Sequence, residues 1–221
     1  PAEYAIVKAV AAGKRAIYTA PIKTLSNQKY HELSRKYPDI SFGILTGDVK
    51  HNPDADCLIM TTEILRNTLF QQNMSDHTSP LFEIGGPDSI GCIVFDEVHY
   101  INDPDRGCVW EESIILTPPS TQIVMLSATI NHPENFAKWV ESVTSRTVEI
   151  CSTTNRAVPL MHHILITLPD SATKFIEDAN VRSAIEKTIM TPLTVKVPGE
   201  PFKEAIYNNG MRSMNGSPGT F

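Results

Sequence analysis

Four short apolar runs limit what this chain can fold into: Ala16-Ile17-Tyr18, Cys57-Leu58-Ile59-Met60, Cys92-Ile93-Val94-Phe95 and Ile123-Val124-Met125-Leu126. None of them alternates apolar with polar residues. A continuous run suits a strand covered on both faces, which is the environment of a parallel sheet. Segments with helical spacing lie between the runs: Thr24 to Tyr37, Glu63 to Phe70, Val109 to Leu116 and Pro133 to Val143. Ala2 to Ala12 reads as a helix entered part-way along, and Ser41 to Leu45 as a weaker strand. Strands alternating with helices predict an α/β domain built on a doubly wound parallel sheet.

Two regions break this rhythm. Gln71 to Ser89 is polar and carries Ser79-Pro80 and Gly85-Gly86-Pro87, which predicts a surface loop. Beyond Pro159 the pattern weakens. Met161 to Leu168 is a candidate strand leaving the domain, Ala172 to Met190 a candidate helix, and the Asn/Gly/Ser/Met-rich stretch from Asn208 a mobile tail. The expected division is one domain over residues 1–158, followed by a linker or the start of a further segment over 159–221.

Charge and cysteine usage narrow the function classes. A formal net charge of −6 excludes a broad cationic coat, so any nucleic acid must be held by a local strip of hydroxyls, amides and helix N-termini. Cys57, Cys92, Cys108 and Cys151 are scattered, without C-x-x-C spacing. That argues against zinc and for a reducing, intracellular setting, with Cys57 and Cys92 as buried apolar side chains. No apolar run approaches the ~20 residues that span a bilayer.

Each strong run ends on small polar or acidic residues: Thr19-Ala20-Pro21, Thr61-Thr62-Glu63, Asp96-Glu97 and Ser127-Ala128-Thr129. Open parallel α/β sheets bind ligands in the crevice at the carboxyl ends of their strands, so four such ends predict one composite site. An aspartate at a strand tip can hold a hydrated Mg²⁺ beside nucleotide phosphates, and an adjacent glutamate can deprotonate a water. Taken alone, Asp96-Glu97 is equally a strand end meeting solvent.

The combination resembles a known family. Asp96-Glu97-Val98-His99 reads as the DEVH form of helicase motif II, and Ser127-Ala128-Thr129 as motif III. Ala20-Pro21-Ile22-Lys23-Thr24-Leu25-Ser26-Asn27-Gln28-Lys29-Tyr30 resembles motif Ia of the superkiller-like, exosome-assisting RNA helicases of superfamily two. So do Thr46-Gly47-Asp48-Val49, Asn52-Pro53-Asp54-Ala55, Met60 to Arg66, and Asp105-Arg106-Gly107 followed by Val109-Trp110-Glu111-Glu112. The resemblance runs in order over roughly residues 2 to 165.

The resemblance implies the first RecA-like lobe of an ATP-dependent 3′-to-5′ RNA helicase, with ATP and Mg²⁺ as cofactors. It also implies single-stranded RNA and an exosome or adaptor complex as partners, with no membrane. Asp96 matches the Mg²⁺-binding acid and Glu97 the hydrolytic base. His99 matches the residue that links the nucleotide site to motif III, where Ser127 and Thr129 match the coupling hydroxyls. Pro21, Lys23, Asn27, Gly47, Asp48, Thr62 and Glu63 fall in segments that line the nucleic-acid track. Bland alternatives stand beside these: turn chemistry for Gly47-Asp48, a helix cap for Thr62, core packing for Trp110.

The phosphate-cradling G-x-x-x-x-G-K-[ST] loop occurs nowhere in the 221 residues, nor do arginine-bearing motifs of a second lobe. In the resembled family that loop precedes the segment matching Ala2-Glu3-Tyr4-Ala5-Ile6. The lobe is therefore expected to be incomplete at its N-terminus and inactive alone. The competing readings are a non-catalytic RNA-binding or scaffold module, and a related DNA helicase.

Overall fold

The computed structural model describes residues 1–73, 88–128, 130–153, 158–165, 178–180, 183, 192–197 and 199–208. α1 (Ala2–Ala11) leads into β1 (Arg15–Ala20), α2 (Lys23–Lys36), β2 (Phe42–Leu45), β3 (Lys50–His51), β4 (Cys57–Thr61) and α3 (Thr62–Asn73). Then come β5 (Ile90–Phe95), a 3-10 helix (Val98–Asn102), α4 (Gly107–Leu116), β6 (Gln122–Met125) and α5 (Pro133–Thr144). The six strands form one sheet in the order β3-β2-β4-β1-β5-β6. Every pairing is parallel except the short antiparallel β2–β3 hairpin.

Alternate residues of the central strands feed two separate cores, as the pleat requires. Ala16, Tyr18 and Ala20 of β1, Cys57 and Ile59 of β4, and Cys92 and Val94 of β5 pack with Ala5, Ile6 and Ala9 of α1 and Leu33 of α2. Ile17, Leu58, Met60, Ile93 and Phe95 point the other way, against Leu65 and Leu69 of α3, Trp110 and Ile114 of α4 and Val140 of α5. Both faces of the sheet are therefore covered, which is why these strands read as unbroken apolar runs. Trp110 is fully buried, matching its core reading. Cys57 and Cys92 are buried too: burial drives the Cys57 thiol far above its usual range and pushes Cys92 up to about 11.

The departures from pattern have local causes. β6 is half-buried rather than buried, because among the described strands it has a partner on one side only. α3 runs to Asn73, so the first residues of the expected loop from Gln71 are helical, while 74–87 lie outside the described residues. The β2–β3 hairpin closes when the Thr46 N–H donates to the Val49 carbonyl (2.8 Å) and the Val49 N–H to the Thr46 hydroxyl (3.2 Å), leaving Gly47-Asp48 at its tip. α5 begins with Pro133 in its first turn, where a missing N–H costs nothing, and buries Ala137 and Val140 one turn apart.

The chain divides into compact units Pro1–Ile150 and Cys151–Phe221. In the second, β7 (His162–Ile164) pairs antiparallel with β8 (Leu193–Lys196), and Thr194 Oγ1 lies 3.0 Å from His163 Nδ1. The expected strand from Met161 is present as β7, and its last residues, like most of the expected helix over 172–190 and the tail from 209, lie outside the described residues. Among the described residues no helix is long and apolar enough to cross a membrane.

Gly43 of β2 marks the tightest backbone approach in the sheet. A Cβ there would run into the Asn52 carbonyl oxygen and sit 2.8 Å from Leu58 Cδ2. The obstruction is backbone and cannot rotate away. Gly43→Ala is expected to destabilise the chain by about 1–3 kcal/mol, the range for overpacking a filled site, read as a lower urea midpoint at unchanged slope.

Candidate functional site

The register of the sheet brings the polar strand ends to one level. Ala20 faces Thr61 across β1–β4, Thr19 faces Phe95 across β1–β5, and Phe95 faces Met125 across β5–β6. Asp96 and Glu97 leave the ladder at that edge and are pinned by backbone bonds from both sides. The Asp96 N–H donates to the Thr19 carbonyl (2.9 Å), and the Val98 N–H to the Leu126 carbonyl (2.8 Å). Between those two anchors Glu97 is held in the left-handed region, at φ 51° and ψ 46°. Residues other than Gly, Asn, Asp and His rarely adopt it, and such strain gathers at functional sites.

Asp96 is oriented at both oxygens. Its Oδ1 accepts the Glu97 N–H (3.0 Å), and its Oδ2 accepts the hydroxyl of Tyr18, which rises from the buried β1. Burial first, and the bond to Asp96 second, drive the Tyr18 hydroxyl far above the usual tyrosine range, so at neutral pH it remains a donor. His99 lies in the next turn, with Nδ1 3.2 Å from Glu97 Oε2 and 3.4 Å from Ser127 Oγ. One imidazole nitrogen thus stands between the glutamate on one strand end and the hydroxyl on the next. Of the five residues expected on the catalytic side, Asp96, Glu97, His99 and Ser127 gather here, and Thr129 lies outside the described residues.

Among the described residues no group of three or more potential ligands surrounds a single point. Asp96 offers a carboxylate, oriented at both oxygens, at the strand tip. That suits Mg²⁺, which is commonly held by one or two carboxylates together with nucleotide phosphates and water. It does not suit a site built from protein ligands only.

The segments expected to line a track lie along the same edge. Pro21 is buried, and Lys23 opens α2, one helical turn before the exposed Asn27. The Lys23 ammonium pairs with Asp48 at the tip of the β2–β3 hairpin, both side chains being largely exposed. A Cβ on Gly47 would lie 3.4 Å from that ammonium, so the hairpin tip sits directly against Lys23. Thr62 is buried, and its hydroxyl donates to the Ala20 carbonyl (3.5 Å), linking the two strand ends rather than capping its own helix. The Glu63 carboxylate is occupied by Arg106.

Two residues here carried no role in the sequence analysis. Tyr18 had a signal, a phenolic hydroxyl ending an apolar run, and a buried hydroxyl demands a partner. Arg106 had a fainter one: a single cation between Asp105 and the glycine that opens α4.

A doubly wound sheet with two adjacent carboxylates, an imidazole and a hydroxyl at neighbouring strand ends places one composite site at the carboxyl edge, where such sheets bind ligands. The chain belongs to the DEAD/DEAH box helicase family, whose pattern matches residues 1–138. Its relatives include the ATP-dependent RNA helicase mtr4 of Schizosaccharomyces pombe, 36% identical over 99% of the chain, and the antiviral helicase SKI2 of Saccharomyces cerevisiae, 42% identical over 82%. Superkiller complex protein 2 of Homo sapiens is 45% identical over 74%. The chain spans 18%, 14% and 12% of these relatives' lengths. Among solved structures, the Mycobacterium smegmatis helicase Lhr bound to ssDNA and AMP-PNP superposes with a TM-score of 0.51 at 21% identity, over 80% of this chain and 24% of that one. That likeness carries the fold.

The left-handed Glu97 can be tested by stability alone. Glycine tolerates the conformation and alanine does not, so Glu97→Gly is expected to be more stable than Glu97→Ala by about 1 kcal/mol in chemical denaturation. The opposite order would show that position 97 is unstrained.

Proposed function

We propose that this chain is the first lobe of an ATP-dependent RNA helicase of the superkiller type, working 3′ to 5′ in RNA processing or decay with an exosome or adaptor complex inside the cell. The observation that carries this reading is the shared edge. Asp96, Glu97, His99 and Ser127 stand at the ends of β5 and β6, level with the Pro21-Lys23 and Thr62-Glu63 segments at the ends of β1 and β4.

Mg²⁺-nucleotide, when bound, supplies phosphates whose charge the metal neutralises. Asp96 would hold the metal through the carboxylate that Tyr18 and the Glu97 amide orient. Glu97 would accept the proton of the attacking water, and its carboxylate already lies beside His99. His99 would relay the state of Glu97 to Ser127, and Thr129 would extend that relay along the same segment. On the track side the start of α3 offers backbone N–H groups to one phosphate, and the Pro21-Ile22-Lys23 segment offers amides and an ammonium to another. Asn27, Gly47 and Asp48 border that second position. The ion pair with Asp48 ties Lys23 to the hairpin tip. A strand gripped by phosphates is positioned without being read, so binding should be indifferent to base sequence.

Two measurements test the reading. With this lobe placed behind a phosphate-binding loop and ahead of a second lobe, Glu97→Gln is expected to slow RNA-stimulated ATP hydrolysis by ~10²-fold or more while nucleotide still binds. Turnover near that of the parent would remove Glu97 from the role of base, and stronger stimulation by DNA than by RNA would reassign the substrate. The second measurement is a salt titration of fluorescent oligo-uridine against the chain. A shallow slope of about −0.7 per phosphate is expected, flattened by about that amount in Lys23→Ala, whereas Asp48→Asn should tighten binding by removing an anion from the track. An unchanged affinity and slope in Lys23→Ala would place the RNA elsewhere.

A further inference from the structure

Arg106 precedes α4 and belongs to neither the acidic pair nor the expected track, yet its side chain reaches the track and rests on the ring beside His99. Its Nη2 donates to the Pro21 carbonyl (2.6 Å), and Nη2 and Nε both reach Glu63 Oε1, the latter at 3.2 Å. The acceptors lie 85 and 43 residues away in sequence, at the ends of β1 and β4. The flat guanidinium also rests over two rings, 6.0 Å from the Tyr100 centroid and 5.7 Å from that of the buried Trp110. Those rings stack on one another at 5.7 Å and 23°. Tyr100 lies in the 3-10 helix that follows Glu97 directly, and its ring is 5.3 Å from that of His99.

The backbone around Arg106 is built to hold this position. Asp103 Oδ1 accepts the N–H groups of Asp105 (3.0 Å) and Arg106 (2.9 Å), and the Gly107 N–H donates to the Asp103 carbonyl (2.8 Å). Gly107 must lack a side chain, because a Cβ there would collide with the Ile101 carbonyl of the 3-10 helix. The turn from the acidic pair to α4 is thereby pressed against its own beginning, and Arg106 projects from it toward Pro21 and Glu63.

We propose that Arg106 is a positioning residue that couples the acidic pair to the RNA track: it clamps the Pro21 carbonyl and the Glu63 carboxylate while resting on the Tyr100–Trp110 stack beside His99. This rests on the RNA reading given above and adds the part that joins its two halves. The chemistry explains why arginine occupies the position. A planar fork can serve two acceptors in fixed directions and still present its faces to aromatic rings, whereas an ammonium is a single point of charge. The clamp also neutralises Glu63, a carboxylate that would otherwise repel phosphate at the start of α3. Arg106 itself stays off the strand in this proposal, because Nε and Nη2 are committed to Glu63 and Pro21.

The test uses the purified chain with Arg106→Lys, which keeps the charge and loses the fork, and Glu63→Gln, which loosens the same clamp from its other side. Hydrogen exchange is expected to speed up at the amides of residues 22–25 and 63–66, with the interior of β1 and β4 unchanged. Oligo-uridine affinity is expected to fall about tenfold in each variant, and the double variant to lose little more than either alone, as coupled partners do. The salt slope separates positioning from contact. It should stay at the parent value, whereas a slope flattened by about 0.7 would mean that Arg106 touches a phosphate itself, overturning the proposal. Parent-like exchange and affinity in Arg106→Lys would overturn it too. Should Arg106→Lys unfold the chain, Glu63→Gln carries the same comparison. Absence of oligo-uridine binding by the parent chain would instead remove the RNA reading, and the coupling with it, before any variant is compared.

Discussion

β1 is paired along its length with β4 on one side and β5 on the other, and the remaining elements take their places from that double ladder. Its side chains alternate between two cores, so α1 and α2 must cover one face and α3, α4 and α5 the other. Its register sets the height at which its neighbours end, and therefore which polar residues emerge together. A slip of one residue would send Tyr18 to the wrong face and leave Asp96 without its hydroxyl donor. The site thus depends on the core directly. The same hydrogen bonds that pair the strands also decide where the carboxylates stand.

Strain and restraint are concentrated at one turn. Glu97 is held in an unfavourable backbone conformation because Asp96 is tied to β1 and Val98 to the segment leaving β6. Neither anchor is local in sequence. Immediately downstream, the close approach at Gly107 and the Asp103 cap return the chain toward the ends of β1 and β4. The stretch from Asp96 to Gly107 therefore touches the ends of β1, β4 and β6. Such a turn has few independent ways to move, which suits the relay proposed for Glu97, His99 and Ser127.

Much of the fold was legible because burial on both faces leaves a plain mark on composition. The runs beginning at Ala16, Cys57 and Cys92 read as covered strands, and helical spacing between them set the alternation. The run at Ile123 read the same way, although β6 has a partner on one side only among the described strands, since composition does not show what stands beside a strand. The β2–β3 hairpin was harder to see, because a two-residue strand leaves no periodicity and its turn is recognisable only by Gly47-Asp48. Thr62 was a helix cap on local grounds, but its hydroxyl turned out to bridge to Ala20, a bond set by the parallel pairing of β1 and β4.

By itself the sequence determined the doubly wound class, the order of strands and helices, and the gathering of polar strand ends on one edge, because these follow from local patterns and from the way parallel sheets are connected. It also singled out Asp96, Glu97, His99 and Ser127 by type and spacing. Only the tertiary structure decided which groups touch. It placed Tyr18 on Asp96, paired Lys23 with Asp48 and carried Arg106 to Pro21 and Glu63. Each of these contacts joins residues at least 25 positions apart, and their meeting is a consequence of strand order and register rather than of any local preference.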